Sequence, residues 1–328
     1  GIDYLSIVTV FSFGMFVEIN LEKTLQATGN MIFPMIFQLT GALTNIILDP
    51  IFIFVLGMGV KGAALATVLS QALSATWVLT FLLGKQTTLK LRLKNFRLQG
   101  RVILPCVLLG LSPFVMQSTE SILNICFNSS LLKYGGDTAV GAMTILTSVM
   151  QFSMLPLQGL TQGAQPIISY NFGAGNADRV RKTFRLLLLC SLAYSVSLWL
   201  VAMLLPDLVA RIFTPDGTLI AYGAWAMRIY MAASLIFGAQ IACQQTFIAL
   251  GNAKVSLFLA VLRKIILLIP LIFILPLFFR QGAEQAMAVF LAEPVADTLA
   301  VVTTGCTFAI LFRKTMKNLE EPACTQKA

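Results

Sequence analysis

Hydrophobic residues run along this chain in long blocks separated by short polar stretches. The apolar blocks cover residues 4–20, 31–56, 62–83, 102–132, 138–162, 184–209, 219–250, 255–279 and 286–312. Crossing the hydrocarbon core of a bilayer takes about 20 apolar residues in a helix, and most of these blocks reach that length. With so little polar sequence between them, helices are the elements that satisfy their own backbone at such a density of spans. The pattern predicts an all-α polytopic membrane protein with nine transmembrane helices and its two ends on opposite sides.

Charge adds an orientation. Lys85, Lys90, Arg92, Lys94, Arg97 and Arg101 share one acid-free connection, and Arg179, Arg181, Lys182 and Arg185 flank a loop two spans later. Lys254, Arg313, Lys314 and Lys317 fall on the same side again. The alternate loops mix Lys61, Lys133 and Arg280 with Asp137, Asp216 and Glu284. The positive-inside bias predicts that the basic loops and the C-terminus are cytoplasmic and that Gly1 lies outside. Glu320 to Ala328 has no apolar pattern and reads as a polar tail.

Composition agrees: 57% of the 328 residues are hydrophobic and 11% charged, against about 25% charged in soluble domains. The net charge of +9 resides in the loops, so nucleic acid is not an expected partner; the bilayer is. The absence of histidine excludes His-based catalysis and His metal sites. Six cysteines show no CxxC pair, and five lie in or beside apolar blocks, as small buried apolar residues do. No GxxxxGK[ST] loop is present, so ATP drive is not expected.

Two features stand out from the blocks. Within 31–56, Asn45 and Asp49 stand one helical turn apart, ahead of Pro50, which removes a backbone donor and frees the carbonyl of Ile46. An acid there is costly and reads as functional by default, although Asp49 could instead satisfy freed backbone at the kink. The second is a repeat: Thr24-Leu25-Gln26-Ala27-Thr28-Gly29-Asn30 matches Thr246-Phe247-Ile248-Ala249-Leu250-Gly251-Asn252 at a spacing of 222. Gly59-Val60 likewise parallels Gly282-Ala283, which pairs blocks one to three with blocks seven to nine. Two parallel halves of six spans each would leave the first half three spans short.

The run Gly159-Leu160-Thr161-Gln162-Gly163-Ala164-Gln165-Pro166-Ile167-Ile168-Ser169-Tyr170-Asn171-Phe172-Gly173-Ala174 resembles a hallmark of the multidrug and toxic compound extrusion (MATE) transporters. Asn45-Ile46-Ile47-Leu48-Asp49-Pro50, followed by Gly59-Val60-Lys61-Gly62-Ala63-Ala64-Leu65-Ala66-Thr67, is similar to another. The resemblance implies twelve helices in two lobes around a central cavity, with this chain matching helices four to twelve. Residues 1–84 would then be a partial N-lobe, 85–101 a basic inter-lobe loop, 102–315 the six-helix C-lobe and 316–328 a cytoplasmic tail. It also implies a cation site at Asn45, Asp49 and Thr67, with Tyr4 close by, for a proton or sodium. An essential acid on the first C-lobe helix would correspond to Glu120.

Around Glu120, Gln117 and Asn124 make a polar stripe at helical spacing, and Gln151, Gln158 and Gln162 fall on one side of the next helix. These could line a substrate path or hold helices together. Glu120 could instead pair internally with Arg228, itself a candidate cavity residue, and Glu293 and Asp297 with Arg263 or Lys264 near one end of a span. Met116, Met150 and Met154 suit a deformable wall for greasy cations. Glu18 and Glu22, beside Lys23, read as interfacial. The expectation is a monomeric antiporter of the bacterial plasma membrane, neither an enzyme nor cofactor-dependent, exporting amphipathic cations in exchange for H+ or Na+. The alternatives are a flippase for lipid-linked oligosaccharides and an inactive partial chain.

Overall fold

A computed structural model describes residues 2–30, 32–84, 99–280 and 282–320. The chain is helical throughout these residues and divides into two compact units, Gly1–Gln99 and Gly100–Ala328. Residues 85–98 of the expected basic loop and 321–328 of the expected tail lie outside the described residues.

The N-terminal unit comprises α1 (Ile2–Phe11), α2 (Phe13–Ala27), α3 (Ile32–Pro50) and α4 (Gly59–Leu83). Leu25, Phe37, Val78 and Leu82 form its core, with the rings of Phe33 and Phe81 4.3 Å apart against it. Small residues set the approach of α3 to α4. A side chain at Gly41 would meet Ser74 Cβ at 3.4 Å, and the Ser74 hydroxyl donates to the Phe37 carbonyl at 3.1 Å. After Pro50 the helix widens into a π-turn, Ile51–Val55, closed by Leu56 N–H donating to the Ile51 carbonyl at 2.9 Å. A proline that withholds its N–H is a recognised cause of such a break.

The C-terminal unit begins with α5 (Gly100–Gly173), which is interrupted at Gly136 (φ 66°, ψ −164°), a left-handed conformation suited to glycine. The chain folds back there: Leu123, Phe127 and Leu131 share one core with Ala139, Met143 and Leu146 from beyond the glycine. α6 (Ala177–Leu204), α7 (Pro206–Arg211), α8 (Gly217–Tyr230) and α9 (Ser234–Ala249) follow. α10 (Ala253–Val261), a π-turn at Leu262–Leu268, α11 (Ile269–Ile274), a 3-10 turn at Leu275–Phe278 and α12 (Ala283–Glu320) complete the unit. Pro276 cannot bond the Ile272 carbonyl, and the Ser130 hydroxyl donates to it instead, at 3.3 Å. Arg181 pairs with Glu320, and Ile168, Val180, Leu250 and Met316 share a cluster. The basic starts of α6 and α10 and the basic end of α12 therefore lie at one end of this unit.

Six helices among the described residues are long and apolar enough to cross a membrane, or up to eight if each of two bent pairs is one span. The bends are related. α1 meets α2 at 48° and α8 meets α9 at 52°. At the first, the Ser12 hydroxyl donates to the Thr9 carbonyl at 2.8 Å; at the second, Ser234 donates to the Met231 carbonyl at 2.8 Å. Ser12 and Ser234 are 222 residues apart, and so are Gly29 (φ 83°) and Gly251 (φ 77°). The sequence repeat is thus a structural one, with a serine bonding back into the preceding turn at the bend in both copies.

Asp216 caps α8, accepting from the Thr218 N–H at 2.9 Å and its hydroxyl at 2.8 Å. These bonds hold its carboxyl below the usual aspartate range. A depressed carboxyl stabilises the fold above its unfolded value and loses that contribution as pH falls through the folded one. Asp216→Ala should therefore lower the Tm at neutral pH, and its gap from wild type should close in acid below about pH 4. A pH-independent gap would contradict the capping role.

Candidate functional site

A polar cavity of 420 Å³ opens inside the C-terminal unit, walled by both arms of α5 and by residues of α8, α9, α12 and the second π-turn. The fold-back at Gly136 creates it. Gln117, Glu120 and Asn124 descend one arm, while Gln151 and Gln158 with Met150 and Met154 ascend the other. A helical stripe becomes a wall only once a second stripe faces it.

Opposite them stands a charge cluster built on the π-turn. Arg263 Nε donates to Asp297 Oδ1 at 2.6 Å and Arg263 Nη2 to Glu293 Oε1 at 3.4 Å. Asp297 and Glu293 sit one turn apart on α12, so a single guanidinium bridges both. The Phe237 ring covers that guanidinium, 4.5 Å from its carbon. Next in sequence, Lys264 reaches across to Glu120. The π-turn ends with the Ile269 N–H bonding the Lys264 carbonyl, just before Pro270. Widened turns of this kind are frequent at functional positions. Arg263, Lys264, Glu293 and Asp297 have side chains 10% exposed or less, whereas Glu120 is 55% exposed toward the cavity.

Three carboxylates thus face two cations. With every group ionised the cluster carries one uncompensated negative charge in an apolar unit. One more positive charge, a proton or a ligand cation, would balance it. Glu120 is where such a charge can arrive from open space.

Not every sequence candidate gathers here. Arg228 is exposed and lies outside the cavity lining; the partner of Glu120 is Lys264 rather than Arg228. Tyr230, two residues on and turned to the other side of α8, is buried and lines the cavity instead. Gln162 is exposed beyond the lining. Glu293 and Asp297 pair with Arg263, one of the two partners weighed from sequence. Sequence reasoning set Arg263 and Lys264 near a span end; in the fold both are buried, carried by the π-turn against α12 and α5. Two adjacent basic residues inside an apolar block were the available signal.

In the N-terminal unit, the Asn45 amide lies 3.5 Å from Asp49 Oδ1, both half-buried, one turn ahead of the π-turn. The Thr67 hydroxyl donates to its own helix at Ala63, 2.9 Å, and Tyr4 is 36% exposed. Of these four residues, Asn45 and Asp49 are the two joined side chain to side chain in the described structure. Glu18 and Glu22 are not interfacial: both are buried, Glu22 at 1% exposure, because they turn inward against α3 and α4. No group of three or more Cys, Asp or Glu suited to a metal ion occurs among the described residues.

The MatE family model matches residues 113–274. The multidrug export protein MepA of Staphylococcus haemolyticus is 26% identical over 91% of this chain and 65% of its own length, and that of Staphylococcus aureus strain N315 is 26% identical over 79% and 57%. The chain therefore spans less than two thirds of the length of these curated relatives. Among solved structures, the MATE multidrug transporter DinF-BH superposes with a TM-score of 0.83 at 37% identity, over 95% of this chain and 68% of that one. A MOP superfamily transporter from Pyrococcus furiosus gives 0.85 at 21% identity, over 95% and 70%. With hydrophobic spans, internal repeat and a third of its residues shared across most of a solved relative, the chain belongs to the multidrug and toxic compound extrusion (MATE) family.

Proposed function

We propose that the protein exports amphipathic cations, exchanging them for protons or sodium by alternating access, with Glu120 as the exchange point in the C-terminal unit. The uncompensated charge of the Arg263, Lys264, Glu120, Glu293 and Asp297 cluster carries this reading. A proton and an organic cation both satisfy it, and neither needs the other present, which is the requirement for exchange at one site. Gln117, Asn124 and Gln151 supply neutral polar contacts, while Met150 and Met154 adapt to greasy shapes. Asn45 and Asp49 serve as a second coupling pair, with Thr67 and Tyr4 nearby.

Counting the arms of α5 as two spans and each bent pair as one gives nine membrane helices, with residues 1–84 as the fourth to sixth of a twelve-helix plan. The shared basic end of α6, α10 and α12 faces the cytoplasm, in a monomer of the plasma membrane. A flippase for pyrophosphate-linked lipids is disfavoured, because Arg263 and Lys264 both spend their charge on carboxylates.

The test is binding and efflux of a lipophilic fluorescent cation. Glu120→Gln should weaken binding to the purified protein about tenfold, or ~1.4 kcal/mol. Glu120→Gln and Asp49→Asn should each slow efflux at least about tenfold, against the 10²–10⁴ typical of lost proton-transfer groups. Undiminished binding and efflux in both variants would sink the reading, as would efflux that survives collapse of both ion gradients.

A further inference from the structure

The buried acids of α2 have no place in that exchange, and their surroundings assign them one of their own. Glu22 Oε2 accepts from the Gln38 amide of α3 at 2.8 Å, while its Oε1 is buried without a hydrogen-bond partner. Glu18, one turn earlier on the same face of α2, is buried as well, with Ser74 of α4 beside it. Two ionised carboxylates one turn apart repel each other, and an apolar interior solvates neither. One proton held by the pair removes one of the two charges.

The charges nearby do not remove this need. Lys23, on α2 itself, acts on Glu22 but also donates to Gln26 at 3.0 Å. On the elements packed against α2, the ionisable groups with described side chains are Tyr4 on α1, Asp49 on α3 and Lys61 on α4. Asp49 lies eleven residues beyond Gln38, and Lys61 thirteen before Ser74, so neither cation nor anion on these helices meets the pair. A metal ion would have to compete with the Gln38 amide hydrogens already turned to Glu22.

The repeat offers an internal comparison. At the spacing of 222, Glu18 corresponds to Gln240 and Glu22 to Gln244, both buried in α9. The packing around them also corresponds, Leu25 to Phe247 and Phe37 to Leu259. One unit thus fills with neutral carboxamides the places that the other fills with carboxyls. We propose that Glu18 and Glu22 form a proton-binding site within the N-terminal unit, a pair that holds one proton between Ser74 and Gln38. The inference does not rest on the transport reading; it would stand if Glu120 carried nothing.

The experiment is pH-dependent infrared difference spectroscopy of the purified full chain in lipid, read at the carbonyl stretch of protonated carboxyls in H₂O and D₂O. At neutral pH, Glu22→Gln and Glu18→Gln should each remove about one carboxyl's worth of that band, and raising the pH should bleach it in wild type. The C-terminal acids contribute equally to every sample and cancel. The carboxamides at 240 and 244 indicate that the fold accepts glutamine here, and circular dichroism checks it. An unchanged band in both folded variants would overturn the proposal. Misfolding of both would overturn it too, because a carboxamide replaces a protonated acid almost atom for atom.

Discussion

Arg263→Met destabilises the C-terminal unit by about 3–5 kcal/mol, the usual cost of stranding buried charge by removing one partner. Methionine keeps much of the aliphatic stem and removes the guanidinium that Phe237 covers, so the loss reports chiefly the guanidinium's ion pairs and ring contact. Glu293 and Asp297 are left facing each other one turn apart with Lys264 already engaged by Glu120. The check is thermal unfolding in detergent. Adding Glu293→Gln and Asp297→Asn to the same background should recover most of the loss, since the liability is the uncompensated acids. A change in Tm no larger than that of a surface substitution would show that the cluster is solvated and refute the burial argument.

Gly238→Ala comes next, at about 1–3 kcal/mol, the range for overpacking a filled core. A Cβ there would lie 2.3 Å from the Ser191 carbonyl oxygen and 2.5 Å from Ser195 Oγ, so α9 and α6 would have to part. The obstacle is backbone, which cannot rotate aside. Gly163→Ala is the matched control, because nothing lies within 4 Å of its new methyl, and helix propensity alone should make it neutral or slightly stabilising. Equal Tm values for the two variants would mean that the α6–α9 contact is not close-packed in solution.

The close approach of Gly238 to Ser191 is a contact that the apolar blocks could not announce, whereas the pairing of Glu293 and Asp297 with Arg263 was one of two weighed from the sequence. Block positions, their helical nature and the 222-residue repeat were legible because hydrocarbon imposes length and self-sufficiency on every span. The facing of a helix is a rotation, and hydropathy that is high on every side does not fix it. Arg228 and Tyr230 show the difficulty: two residues on one helix, and the charged one turned away from the cavity. Lys264 and Glu120 meet across 144 positions because α5 folds back and the π-turn shifts the phase of the residues it carries. Glu18 and Glu22 misled through their neighbour. Lys23 suggested water, while burial against Gln38 and Ser74 is decided by α3 and α4, which local sequence does not contain. Gln117, Glu120 and Asn124 keep their helical spacing and line one wall of the cavity.

The paired bends at Ser12 and Ser234 separate curvature from chemistry. In both copies a hydroxyl reaches back three residues to a carbonyl where the helix turns, and the two angles agree within a few degrees. Six residues further along each copy, the side chains differ, an acid in one and an amide in the other. The same bent scaffold therefore accommodates a titratable or a neutral group at that place, so charge there can change without a change of backbone path.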